Sequence, residues 1–129
     1  MAVSAFGILL QRLREDRRLS LRQLAQLTDI DHAYIYRLET GEKESPSEEV
    51  VAALIKVLKA DERVAAILRF LATSPQTDWK LAEKAVTNPK FGVQDLGIAA
   101  QIRFRGAARP DPEQLLERAR KLREETERG

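Results

Sequence analysis

The chain of 129 residues has no cysteine, one histidine and one tryptophan, and aromatic residues make up 5% of it. Without cysteine there is no disulfide framework, zinc ribbon or thiol nucleophile. A single imidazole, His32, gives no second histidine with which to hold a metal, so no metal site is expected. Serines and aspartates are scattered without a histidine partner, and Gly92 and Gly97 stand isolated, so no phosphate-cradling glycine loop is present. No catalytic residue, cofactor or enzyme activity is expected. Long apolar stretches are lacking too. Ile8 to Leu10 and Val50 to Ile55 are far too short to cross a bilayer. Met1 to Leu10 has no basic leader and runs into Arg12 and Arg14, unlike a secretory signal. The expectation is a cytoplasmic protein with no membrane partner.

Charge of one sign is also missing. Hydrophobic residues make up 43% and charged residues 33%, with 22 basic against 20 acidic side chains. That balance fits a folded core and excludes a bulk polycation. Residues 1–46 carry seven charges of each sign, while residues 76–109 carry six basic against three acidic groups. The excess therefore sits in the C-terminal half, where Arg103, Arg105 and Arg109 suggest either a phosphate-binding patch or a solvated face.

What is present is a succession of short helical patterns with capping residues between them. Phe6, Leu9, Leu10 and Leu13 recur at i, i+3, i+4 and i+7, the stripe of a first helix. Ser20 stands three residues before Gln23, a capping box, and opens a short helix that buries Leu21, Leu24 and Ala25. Asp29-Ile30 breaks it, and Asp31 is placed to cap a third helix whose inner face is Tyr34, Ile35 and Leu38, with Gly41 as its stop. Ser47 caps a fourth helix built on Val50, Val51, Leu54, Val57 and Leu58. Asp61 caps a fifth built on Val64, Ile67, Leu68 and Leu71, ended by Ser74-Pro75. Beyond Pro75, Thr77 is placed to cap a helix anchored by Trp79 and stopped by Asn88-Pro89. Asp95 to Ala100 has a helical pattern, and Gln101 to Arg105 alternates like a strand. Asp111-Pro112 opens a last helix with Gln114 at its third position, carrying a narrow stripe of Leu115, Ala119, Leu122 and Thr126. These patterns predict an all-α chain: residues 1–75 as a five-helix domain and 76–129 as a mainly helical extension.

The segment from Ser20 to Gly41 (SLRQLAQLTDIDHAYIYRLETG) resembles the helix-turn-helix of the lambda-repressor-like (XRE, Cro-type) regulators, and the likeness covers roughly residues 5–72. In that fold Ala25 sits where two helices cross, Leu24, Ile35 and Leu38 lock them together, and a short turn leaves the third helix protruding at a width that fits the DNA major groove. The resemblance implies base-edge contacts by His32, Ala33, Tyr36 and Arg37, and phosphate contacts by Arg22 and Lys43. Arg103 and Arg105 are candidates for further phosphate contacts. It also implies a structural ion pair between Arg14 and Glu39. Three positions depart from the family. Asp29 replaces the usual turn glycine, Leu21 replaces a frequent glutamine, and Glu42-Lys43-Glu44 is more acidic than is usual, which weakens binding by a monomer.

The function this implies is a nucleoid-associated, autoregulated homodimeric repressor of double-stranded operator DNA, with residues 76–129 supplying dimerisation, effector or partner binding. The alternative is an antitoxin or adaptor on the same fold, gripping a toxin or protease through its C-terminal half.

Overall fold

The computed structural model describes residues 3–43, 45–102 and 110–128. Described residues form helices and no strand, in two compact units, Met1–Thr77 and Asp78–Gly129.

Five helices make the first unit: α1 (Ala5–Asp16), α2 (Leu21–Thr28), α3 (His32–Thr40), α4 (Glu48–Leu58) and α5 (Glu62–Thr73). Short polar side chains start most of them. Ser4 accepts from the Gly7 N–H, Ser47 from Val50 and Asp61 from Val64, each at the third helical position. Ser20 and Gln23 complete a reciprocal capping box, with bonds of 3.1 and 2.8 Å. Such caps stabilise a helix end by about 1 kcal/mol each. Asp31 is the exception. It occupies the position before α3, but its side chain makes no capping bond.

Packing follows the apolar stripes. α1, with Phe6, Leu9 and Leu10 buried, packs against α3, with Ile35 and Leu38 buried, and against α5, while α4 packs on α2 and α5. Leu24 is the one fully buried side chain on α2; Leu21 and Ala25 are half-buried. Burial of that leucine stabilises the unit by roughly 1.5–3 kcal/mol. Arg17 ties two elements together. Its Nε donates to the Leu58 carbonyl at 2.9 Å and its guanidinium also reaches the Lys59 carbonyl, a cation at the C-terminus of α4.

The second unit packs α6 (Trp79–Thr87), α7 (Val93–Gln101) and α8 (Pro112–Arg128) mutually against one another. The expected cap of α6 is displaced by one residue. Thr77 turns its hydroxyl back to the Ser74 carbonyl, and Asp78 precedes the helix. Trp79, expected as the anchor, lies at the first turn and is half-buried, whereas Phe91 is fully buried. Gln101 ends α7 instead of beginning a strand, because the Leu96 and Ala99 stripe carries the helix to that point. Residues 103–105 lie outside the described residues. Asp111 and Gln114 exchange bonds of 2.9 and 3.2 Å at the start of α8. Leu115, Leu116 and Ala119 of that helix are buried, while Leu122 is 45% exposed and Thr126 is exposed.

Candidate nucleic-acid interface

The site is a helix with two unlike faces. Ile35 and Leu38 of α3 are fully buried, and Glu39 is buried beside them. Positions 32, 33, 36 and 37 fall within about 140° of the opposite side at 3.6 residues per turn. His32, Tyr36 and Arg37 are exposed there and Ala33 is half-buried. Tyr36 is 53% exposed, a large aromatic ring held in water. Tyr34, expected on the inner face, is half-buried at its edge.

The turn before α3 is what presents this face. Asp29 adopts φ 59° and ψ 32°, and the N–H groups of Asp29 and Ile30 both donate to the Ala25 carbonyl. Aspartate tolerates the left-handed region better than most residues, so the position serves without glycine. At the far end Gly41 has φ 81°, and the Lys43 N–H donates to the Arg37 carbonyl. That bond holds Lys43, exposed, against the last turn of α3.

An ion pair fixes α3 from below. Arg14 Nε donates to Glu39 Oε2 at 2.7 Å and Arg14 Nη2 to Oε1 at 3.0 Å. The third arm of the guanidinium donates to the Leu19 carbonyl at 2.8 Å. Hydrogen bonding to Glu39, with its negative charge, raises the Arg14 pKa above its ordinary value against the lowering effect of burial. One side chain thereby joins α1, the loop before α2, and the end of α3.

Sequence reasoning missed the residue that sets the distance between α1 and α3. A Cβ built on Gly7 would lie 2.5 Å from the carbonyl oxygens of both Leu38 and Glu39. The available signal was an isolated glycine inside a helical stripe, a residue that costs about 1 kcal/mol against alanine in a helix.

His32, Ala33, Tyr36 and Arg37 thus share one outward face. His32 Nδ1 lies 3.8 Å from an Asp31 carboxylate oxygen. Arg37 makes no ion pair with a described residue, and Glu44 is outside the described residues, as are Arg103, Arg105 and Arg109. Arg22 is exposed in the first turn of α2. The acidic side chain described in the loop after α3 is Glu42, also exposed. Among the described residues no cluster of three or more His, Asp or Glu side chains could hold a metal ion, and no helix is long and apolar enough to cross a membrane.

Residues 5–68 match the family model described as a helix-turn-helix domain. The N-terminal unit is a helix-turn-helix domain. The match spans α1 to most of α5 and agrees with a lambda-repressor-like family. No curated protein matches the chain. In helix-turn-helix domains the second helix of the motif lies in the major groove while the first crosses the backbone. Here those helices are α3 and α2.

Proposed function

We propose that the protein is a sequence-specific DNA-binding transcriptional regulator acting in the cytoplasm on nucleoid DNA, as an autoregulated homodimeric repressor. The observation that carries this reading is the outer face of α3, where His32, Tyr36 and Arg37 stand exposed around Ala33 on a helix buried on its other side. An α-helix about 10–12 Å across fits a major groove about 12 Å wide.

Each side chain has a chemical role in that groove. Arg37 presents a planar fork suited to guanine O6 and N7. Ala33 offers a small apolar contact to a thymine methyl, and His32 donates or accepts at a base edge. Tyr36 reaches a methyl or a phosphate. Arg22 and Lys43 pair with backbone phosphates and set orientation, with Arg103 and Arg105 adding phosphate contacts. Two subunits would place their α3 helices in successive major grooves of an inverted repeat, about 34–36 Å apart. Occupying the chain's own promoter would block polymerase.

Gel-shift titration with the DNA upstream of the chain's own gene, repeated across salt concentrations, tests this. A specific complex at low salt is expected; none at any salt overturns the reading. An antitoxin or adaptor role is favoured by one observation, the exposed Glu42 beside Lys43, which repels phosphate. A toxin or protease gene adjacent to this one would support it.

A further inference from the structure

The helix-turn-helix unit carries a second surface to which α3 contributes no residue. Between the end of α2 and the last turns of α4, Leu27, Ala53 and Val57 floor an open groove of about 650 Å³. Leu27 is 60% exposed, on a helix whose other apolar residues turn inward. Ala53 and Val57 are one turn apart on α4 and half-buried, so the floor is a strip along the helix, and the small Ala53 leaves room for an incoming side chain.

The rim is cationic. Arg17, Lys56 and Lys59 line the groove, and among the described residues no carboxylate does. The Arg17 guanidinium is bonded to two backbone carbonyls, which carry no full negative charge to offset it. Lys56 and Lys59 are exposed and make no ion pair with a described residue. Asp16 and Asp61 line a neighbouring hollow with Arg17 and Lys59. In the groove itself, three cations around an apolar strip complement a ligand that is apolar along one face and acidic along its edges. A nucleic-acid backbone would satisfy the cations but leave the strip unfilled.

We propose that this groove docks an acidic amphipathic helix of a partner protein. Leucine-like anchors would sit on Leu27, Ala53 and Val57, and flanking carboxylates would meet Lys56, Lys59 and Arg17. Such a contact couples the DNA-reading unit to another protein through a face that does not include α3.

The test is an NMR titration of the full chain with two synthetic helical peptides. One carries leucines at i, i+3, i+4 and i+7 with glutamates elsewhere, and its twin carries lysines in place of the glutamates. The expected result is amide shifts at Leu27, Ala53 and Val57 with the glutamate peptide, and binding about tenfold weaker or less with the twin. Lys56→Glu should narrow or reverse that preference. Leu27→Ser should weaken the peptide about tenfold while leaving affinity for duplex DNA unchanged. Equal affinity for the two peptides, or shifts confined to other residues, overturns the proposal. So does displacement of the peptide from these residues by a short DNA duplex, which would make the groove a nucleic-acid surface.

Discussion

A Cβ on Gly7 would stand 2.5 Å from the carbonyl oxygen of Leu38, and the obstacle is backbone, with no flexible side chain to move aside. The same Gly7 receives the Ser4 cap through its N–H. The entry of α1 is therefore pressed against the exit of α3, and the tilt of α3 depends on this one missing side chain. Gly7→Ala sets two effects against each other. Alanine gains about 1 kcal/mol in helix propensity. Overpacking costs typically 1–3 kcal/mol, and the rigid neighbours here place the cost at the upper end, about 3 kcal/mol. Urea denaturation should show net destabilisation of about 2 kcal/mol. A variant as stable as the parent would mean that α1 and α3 separate freely.

The Arg14–Glu39 pair should behave as a coupled unit. Both side chains are nearly buried, at 13% and 4% exposure, and removing one leaves the other's charge without its partner. Arg14→Ala should cost about 3–5 kcal/mol, whereas replacing both residues by methionine should restore much of the loss. Additive losses in the double variant, measured by chemical denaturation, would show that the pair carries no coupling.

Helix by helix, the local part of this fold was legible. Ser20 with Gln23, Ser47, Asp61 and Asp111 with Gln114 announce helix starts because a cap is decided within four residues, and the cap bonds are present. What escaped depends on residues far apart in the chain. Gly7 matters only because α3 returns to it. Arg17 closes α4 more than forty positions later. Asp95, 1% exposed, accepts from the Gly92 N–H and from Arg123 Nε at 2.7 Å, a link between α7 and α8 that no local pattern reveals. Size misled in one place. Trp79 was the obvious anchor, but its position in the first turn of α6 leaves it half-buried, and Phe91 fills the core. On α3 the inner and outer faces were readable from periodicity alone, while the left-handed turn at Asp29 was readable only through the family likeness.

Base contacts and phosphate contacts should separate in their salt response. Arg37→Ala should cost about 1–3 kcal/mol on the preferred site and relax preference at one base pair. Lys43→Ala should weaken all sequences alike and reduce the slope of log K against log salt by about 1. Fluorescence anisotropy on matched and single-mismatch duplexes distinguishes the two. An Arg37→Ala variant with unchanged sequence preference would remove Arg37 from the reading set.

In the second unit Glu117 sits between Lys90 and Arg120, and these cations hold its carboxyl below the ordinary value of 4.5, Lys90 contributing most. A depressed folded pKa adds stability that is fully present above the unfolded value and is lost as pH falls through the folded one. Its loss is confined to acid below about pH 4.5, and solvent screening keeps it modest because the Lys90 and Glu117 side chains are 48% and 27% exposed. Carboxyl-carbon NMR titration should find the Glu117 midpoint below that of a free glutamate, and Lys90→Gln should move it up. A midpoint indifferent to Lys90 would leave Arg120 as the governing partner.

The proposed dimer can be tested without dismantling the unit that would form it. Removing α8 whole would take away Leu115, Leu116 and Ala119, which are buried within the second unit, so monomers from such a truncation would report lost folding as readily as a lost interface. Leu122 is different. It lies about one turn beyond Ala119 on the same stripe, is 45% exposed, and contributes little to the unit's own core. An apolar stripe that continues into solvent is a ready seam for a second copy of the helix. Leu122→Glu should leave the helical circular dichroism and the thermal transition nearly unchanged while shifting sedimentation from dimer to monomer. Operator affinity should fall with it, because binding two half-sites through one dimer adds the second contact at high effective concentration. A Leu122→Glu variant that remains dimeric would place the interface away from this stripe.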